Sequence, residues 1–210
     1  MDESQQSYPA QLYIEYSEKS DRFTVFFRLI MAIPILIVLG LLMGGGDHNP
    51  ETGVHVHYVG TAGVLFLPTL LMIVFRRKYP RWWYDWNLEF TRFTNRIAAY
   101  LLLLRDEYPS TDEEQAVHVD FPYPDAQQDL HQFLPLVKWF LAIPHLITLA
   151  ILWAVVVICT VFAWFAILFT GRFPRSLFDF VVGVMRWTVR VGAYAFLLTT
   201  DVYPPFKLRE

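Results

Sequence analysis

Apolar residues fall in blocks along this chain. Phe23 to Met43 is the first, Thr61 to Phe75 the second, and Phe133 to Thr170 a third with almost no polar interruption. A hydrocarbon core about 30 Å thick takes roughly 20 residues of helix. The first block fits and the second is short. As one helix, at about 1.5 Å per residue, the third would far exceed a single crossing, so a turn is expected near Trp153 and Ala154. The pattern therefore predicts two helical hairpins, with spans at about 23–43 and 59–76 and at about 132–153 and 154–170. A hairpin that re-enters without crossing is the competing geometry.

The blocks belong to a repeat. Arg28 to Pro34 (RLIMAIP) recurs as Lys138 to Pro144 (KWFLAIP) at an offset of 110. Tyr79-Pro80-Arg81 answers Phe173-Pro174-Arg175, and Asp85, Arg92, Thr94, Arg96, Ala99 and Tyr100 fall on Asp179, Arg186, Thr188, Arg190, Ala193 and Tyr194 at an offset of 94. Asp106-Glu107-Tyr108-Pro109 and Asp201-Val202-Tyr203-Pro204 close the two halves. The change of offset assigns 16 extra residues to the first half, and Gly44 to Gly60, rich in turn residues, is the segment that can hold them. Two tandem units are expected, 1–109 and 110–210, with polar Ser110 to Gln115 joining them.

Each hairpin is followed by a helix of mixed character, at about 82–104 and 176–198. Asp85, Arg92 and Arg96 share one helical face, as do Asp179, Arg186 and Arg190, while Trp187 and Tyr194 point elsewhere. Central charges cost more than about a dozen apolar residues clearly repay. The expectation is an amphipathic helix lying along the cytoplasmic leaflet; a third span with its charges paired internally is the alternative. Trp82, Trp83, Tyr84 and Trp86 suit an aromatic belt at headgroup level. Ahead of each hairpin, Leu12, Ile14 and Tyr16, and Val117, Val119 and Phe121, alternate with polar neighbours. Period two predicts strands, which can pair with each other over the amphipathic helices.

Composition agrees with a membrane solvent: 55% of residues are hydrophobic and 18% charged, against about 45–50% apolar in soluble domains. The net charge of −3 suggests no nucleic-acid partner. Arg76, Arg77, Lys78 and Arg81 follow the first hairpin and Arg172 and Arg175 the second. By the positive-inside rule both turns, and both termini, are expected on the cytoplasmic side. The acidic, polar stretch from Met1 to Ser20 lacks the features of a signal peptide. Cys159 is the sole cysteine and reads as a small buried hydrophobe.

Lys138-Trp139-Phe140-Leu141-Ala142-Ile143-Pro144-His145, then Thr170-Gly171-Arg172-Phe173-Pro174-Arg175-Ser176-Leu177-Phe178-Asp179-Phe180, then Arg186-Trp187 and Tyr194, resemble the bacterial domain-of-unknown-function 4389 (DUF4389) family from about Val117 to Phe206. The first half departs from that pattern, with Arg28 for the lysine, Ile35 for His145 and Arg77 for Gly171. The resemblance implies a small bacterial membrane protein of one or two such units, with no assigned chemistry.

Candidate chemistry is sparse. His55 and His57, near His48, could share a metal on an extended segment, but solvated loop histidines are the simpler reading. His145, inside an apolar block, is an intramembrane polar candidate, with a neutral histidine bonded to a carbonyl as the alternative. Pro34 and Pro144 are expected to shape helices. The matched faces of Asp85, Asp179, Arg92, Arg96, Arg186 and Arg190, with Trp82, Trp83, Trp86 and Trp187, are the best candidates to contact a partner or anionic lipid. No phosphate loop, nucleophile elbow, zinc-protease pair or dinucleotide fingerprint is present in the sequence. The expected class is a non-enzymatic accessory or scaffold subunit of a larger membrane complex in the bacterial cytoplasmic membrane, without cofactor. A lipid-binding or transport-related protein is the alternative.

Overall fold

The structure is a computed structural model and describes residues 8–43, 61–111 and 113–209, of which 61–65 by backbone only. The chain is mainly helical. Its elements are β1 (Gln11–Ile14), α1 (Arg22–Met31), α2 (Ile33–Met43), α3 (Thr61–Arg76), α4 (Arg81–Leu101), β2 (Val117–Asp120), α5 (Pro135–Thr170) and α6 (Arg175–Ala195).

The two predicted strands exist and pair with each other. β1 and β2 run antiparallel with Leu12 opposite Val119 and Ile14 opposite Val117. Alternation puts all four of these side chains on one buried face, while Gln11, Tyr13, His118 and Asp120 point outward. β1 packs on α6 and β2 on α4, so each half contributes a strand to the other half's amphipathic helix. α6 is enclosed between β1 on one side and α5 on another.

The expected turn near Trp153 and Ala154 is absent. Pro135–Thr170 is one helix of 36 residues, about 54 Å long, so the division into spans at 132–153 and 154–170 does not hold. The segment offers no glycine or asparagine at which the i→i−4 ladder would break, and the ladder ends only where Gly171 takes a left-handed conformation (φ 73°). Packing also rewards continuity. Lys138, Ala142, His145, Leu149, Val156, Ala163 and Ile167 are buried at intervals of three, four and seven residues, which makes one stripe along the whole helix. Most of the rest of its surface is apolar, and much of it is exposed.

The counterpart in the first half is divided. At Ala32, two residues before Pro34, α1 gives way to α2, as expected where a proline removes the donor that would continue the ladder. Leu36 N–H resumes it by bonding Ala32 O at 3.0 Å. Pro144, by contrast, sits inside α5 without ending it. Asp21 starts α1 by accepting from Phe23 N–H at 3.0 Å. The tip between α2 and α3, with His48, His55 and His57, lies outside the described residues.

Among the described residues, two stretches are long and apolar enough to cross a membrane, Arg22–Met43 and Pro135–Thr170, where four spans were expected; α3 is shorter. Only 22% and 17% of their most apolar windows are buried within the chain.

The sheet face supplies a direct test. Leu12 is 1% exposed at the junction of β1 and α6, and Leu12→Ala should lower unfolding stability in detergent by about 2–4 kcal/mol. A loss below about 1 kcal/mol would show that the strand does not hold the halves together.

Candidate functional site

Two cations are buried near the starts of the apolar helices, one in each half. Arg28 is 1% and Lys138 0% exposed. A buried charge is tolerated only when paired and hydrogen-bonded, and both are handled in the same way. Arg28 pairs with Asp106, donates to Tyr100 O at 2.9 Å and Arg105 O at 2.7 Å, and lies 4.5 Å from the centre of the Tyr100 ring. Lys138 pairs with Asp201 at 2.6 Å, donates to Thr200 O at 2.7 Å, and lies 5.1 Å from the centre of the Tyr194 ring. Each aspartate also accepts a backbone N–H from the approach to its own apolar helix, Asp21 onto Asp106 at 2.8 Å and His131 onto Asp201 at 2.6 Å. These sites were not foreseen. Their signal was opposite charges at matched places in both halves.

A second set of contacts runs between the halves. Glu15 N–H bonds Ala116 O at 3.1 Å, and by alternation the facing residues Leu12 and Val119 turn their carbonyls away from the partner strand. Arg186 Nε donates to Leu12 O at 3.1 Å and Arg92 Nε to Val119 O at 2.9 Å. Tyr16 OH donates to Phe173 O at 2.6 Å and Tyr123 OH to Tyr79 O. Arg175 stacks on Tyr16 and Arg81 on Tyr123 at 4.5 and 4.8 Å. At the helix ends, Arg22 reaches Phe169 O at 3.3 Å and Gln132 reaches Val74 O at 2.6 Å. Apart from the Glu15–Ala116 backbone bond, each of these contacts has a close counterpart with the halves exchanged.

Arg96 and Arg190 reach the chain just beyond each Tyr-Pro phrase. Arg96 donates to Ser110 O at 3.0 Å, and Arg190 to Lys207 O and Arg209 O at 3.3 Å each. The tail passes close at Gly183, where a Cβ would stand 2.9 Å from Leu208 O. Tyr8 and Tyr79 complete the polar frame by donating to Val202 O and Leu197 O at 2.9 Å. Burial pushes both phenol pKa values far up, so the groups remain donors.

The structure divides the expected contact set between interior and surface. Arg96, Arg190 and Trp187 are 7%, 4% and 4% exposed and do not reach the surface. The arginine faces of α4 and α6, expected along a leaflet, are covered by the strands and tail, because carbonyls of a two-stranded sheet and an irregular tail need donors there. Asp85 and Asp179 are exposed and pair with Arg81 and Arg175 at 3.2 and 3.3 Å. Trp82 and Trp86 are exposed, while Trp83 donates to Thr69 Oγ1 at 2.7 Å.

His145 is fully buried, with Nδ1 accepting from Trp187 Nε1 at 3.1 Å and its ring stacked on Phe206 at 3.9 Å. The ring proton then belongs on Nε2, which has no partner among the described residues. In the first half Ile35 stands at the matching place, clustered with Ala32, Phe93, Ile97 and Tyr100. Both members of the polar pair are thus replaced by apolar ones. Among the described residues, no three His, Cys, Asp or Glu side chains converge as a metal site would require.

Two variants probe these sites. Asp201→Asn leaves the Lys138 charge buried without its anion and should cost about 3–5 kcal/mol, largely recovered by the double change Lys138→Met with Asp201→Leu. His145→Ile alone orphans the Trp187 N–H and should cost about 1–3 kcal/mol, whereas His145→Ile with Trp187→Phe should come close to neutral. Thermal unfolding in detergent reads both. Equal loss in the single and double histidine variants would contradict the pairing.

No curated protein and no solved structure matches the chain. Residues 135–207, which take in α5, α6, Lys138, His145 and the Asp201–Pro204 phrase, match one copy of the family described as Domain of unknown function (DUF4389).

Proposed function

We propose that the chain is a non-enzymatic accessory or scaffold subunit embedded in the bacterial cytoplasmic membrane, where it binds a larger membrane protein complex. The observation that carries this reading is the distribution of surface. Leu29, Leu41, Phe75, Ile151, Phe162 and Phe169 are between 64% and 79% exposed, far more apolar surface than a monomer in water leaves uncovered. The arginines inside the fold, meanwhile, hold backbone carbonyls. A scaffold needs an apolar exterior and a rigid interior.

The same reading takes the chain as two tandem units, 1–109 and 110–210, in support of which the buried cations Arg28 and Lys138 recur at an offset of 110 and the arginine donors Arg92 and Arg186 at an offset of 94. The basic residues Arg76-Arg77-Lys78, Arg172 and Arg175 are exposed, and in this reading both turns face the cytoplasm with the termini.

A second reading, lipid binding, is favoured by one feature. A groove of about 480 Å³ runs between α1, the end of α4 and α5, lined by Val25, Phe26, Leu29, Leu102, Val161 and Trp164 among others. Its walls and size suit an acyl chain.

Purification in mild detergent from the native membrane separates the two. The scaffold reading expects an assembly heavier than the 24.6 kDa chain with a reproducible protein partner. A lone monomer counts against it. The lipid reading expects a retained lipid in native mass spectra that is lost when Thr160→Phe fills the groove, and unchanged retention defeats it.

A further inference from the structure

We infer that α5 lies in the plane of a single leaflet, with its outward face in the acyl chains, and does not cross the bilayer. The inference rests on the duplicated, membrane-embedded reading above. Its first support is the symmetry of the contacts. An antiparallel strand pair has a local twofold axis normal to its sheet, and here that axis passes between the facing residues Leu12 and Val119. The repeat offsets carry Arg22 onto Gln132 and the Ile73–Arg77 turn onto Ile167–Gly171. Both basic turns face the cytoplasm in that reading, so the two units share one orientation and the axis lies along the membrane normal. Residues exchanged by it share one depth, so the start of α5 at Gln132 lies as deep as Arg22 at the start of α1. Arg22 in turn bonds Phe169 O in the last turn of α5, and Ser20 N–H bonds Gly171 O at 3.0 Å. Both ends of one unbroken helix of 36 residues are thereby held at one depth.

The second support is charge. α5 is buried on a stripe that runs its full length, and α6 with β1 lies against it. A bilayer crossed along the axis of α5 would have to take in this neighbouring body as well. Asp179 and Arg175 on α6, Asp120 on β2 and Glu89 on α4 have side chains between 53% and 77% exposed, and charged groups at the bilayer centre are costly. Laid flat, the molecule avoids this. Its apolar side carries the outward residues of α5, none of them charged, and the basic turns Arg76-Arg77-Lys78 and Arg172 stand exposed beside its two ends. A basic rim around an apolar face complements an anionic lipid surface.

Depth measurements on spin labels test the inference. In a Cys159→Ala background, single cysteines replace Phe140, Ile147, Ile158 and Phe165, which are 49% to 60% exposed, lie within about 20° of one another around the helix and span about 37 Å along it. The labelled full-length protein is reconstituted in vesicles of phosphatidylcholine and phosphatidylglycerol, and the oxygen and nickel-chelate accessibilities of each label give its depth. The expected result is four labels in the hydrocarbon at one depth, within a few ångströms. A profile deepest at the two central labels, as a spanning helix or a hairpin requires, would overturn the in-plane geometry while leaving membrane insertion standing. Four water-accessible labels would overturn the membrane reading itself. Labels shielded from both oxygen and nickel would put a second protein copy, in place of lipid, on this face and would equally overturn the inference. As a companion readout, Lys78→Gln and Arg172→Gln should each weaken binding to the anionic vesicles by about fivefold, and unchanged binding would remove the basic rim from the argument.

Discussion

A two-stranded sheet has no interior strand, so every carbonyl that points outward must find a donor elsewhere or lose hydration without compensation. In this protein the donors are arginines, each reaching across from the half that does not own the strand it serves. Arg186 takes Leu12 O and Arg92 takes Val119 O. The rest of the architecture follows from that constraint. The strands must pair to bury Leu12, Ile14, Val117 and Val119, the paired strands must lie on α4 and α6 to be capped, and neither half is complete alone.

The same economy governs the buried charges. Arg28 and Lys138 anchor the starts of the apolar helices to the aspartates that end each half, with a tyrosine face and a backbone carbonyl completing each cage. Such a cage contributes geometric specificity more than net stability, because the desolvation of both ions offsets most of their attraction. Its effect is to fix where an apolar helix leaves the polar body. The histidine–tryptophan contact beside the second cage is where the two halves differ. Ile35 and Phe93 fill the equivalent space without a polar atom, a paired change that avoids leaving either partner unsatisfied.

Much of this was legible along the chain. The strands were readable from period-two alternation, the amphipathic helices from the shared faces of Asp85, Arg92 and Arg96 and of Asp179, Arg186 and Arg190, and the matched halves from ordered identities at fixed offsets. The cages were visible only as coincidences, Arg28 and Lys138 in one motif and Asp106 and Asp201 in another. Nothing in local sequence says that residues separated by 78 and 63 positions will meet.

What the sequence by itself determined is the set of apolar and polar stripes, because periodicity of side chains is a property of the backbone geometry each segment adopts. Only the tertiary structure decided what those stripes face. Arginines that read as a lipid-facing surface turned inward, since the nearest unsatisfied carbonyls belonged to the partner strand and tail. The long apolar block stayed one helix, since a continuous stripe from Lys138 to Ile167 found a continuous surface to bury against. Periodicity fixes the face, while the identity of its partner depends on long-range packing that no window of sequence contains.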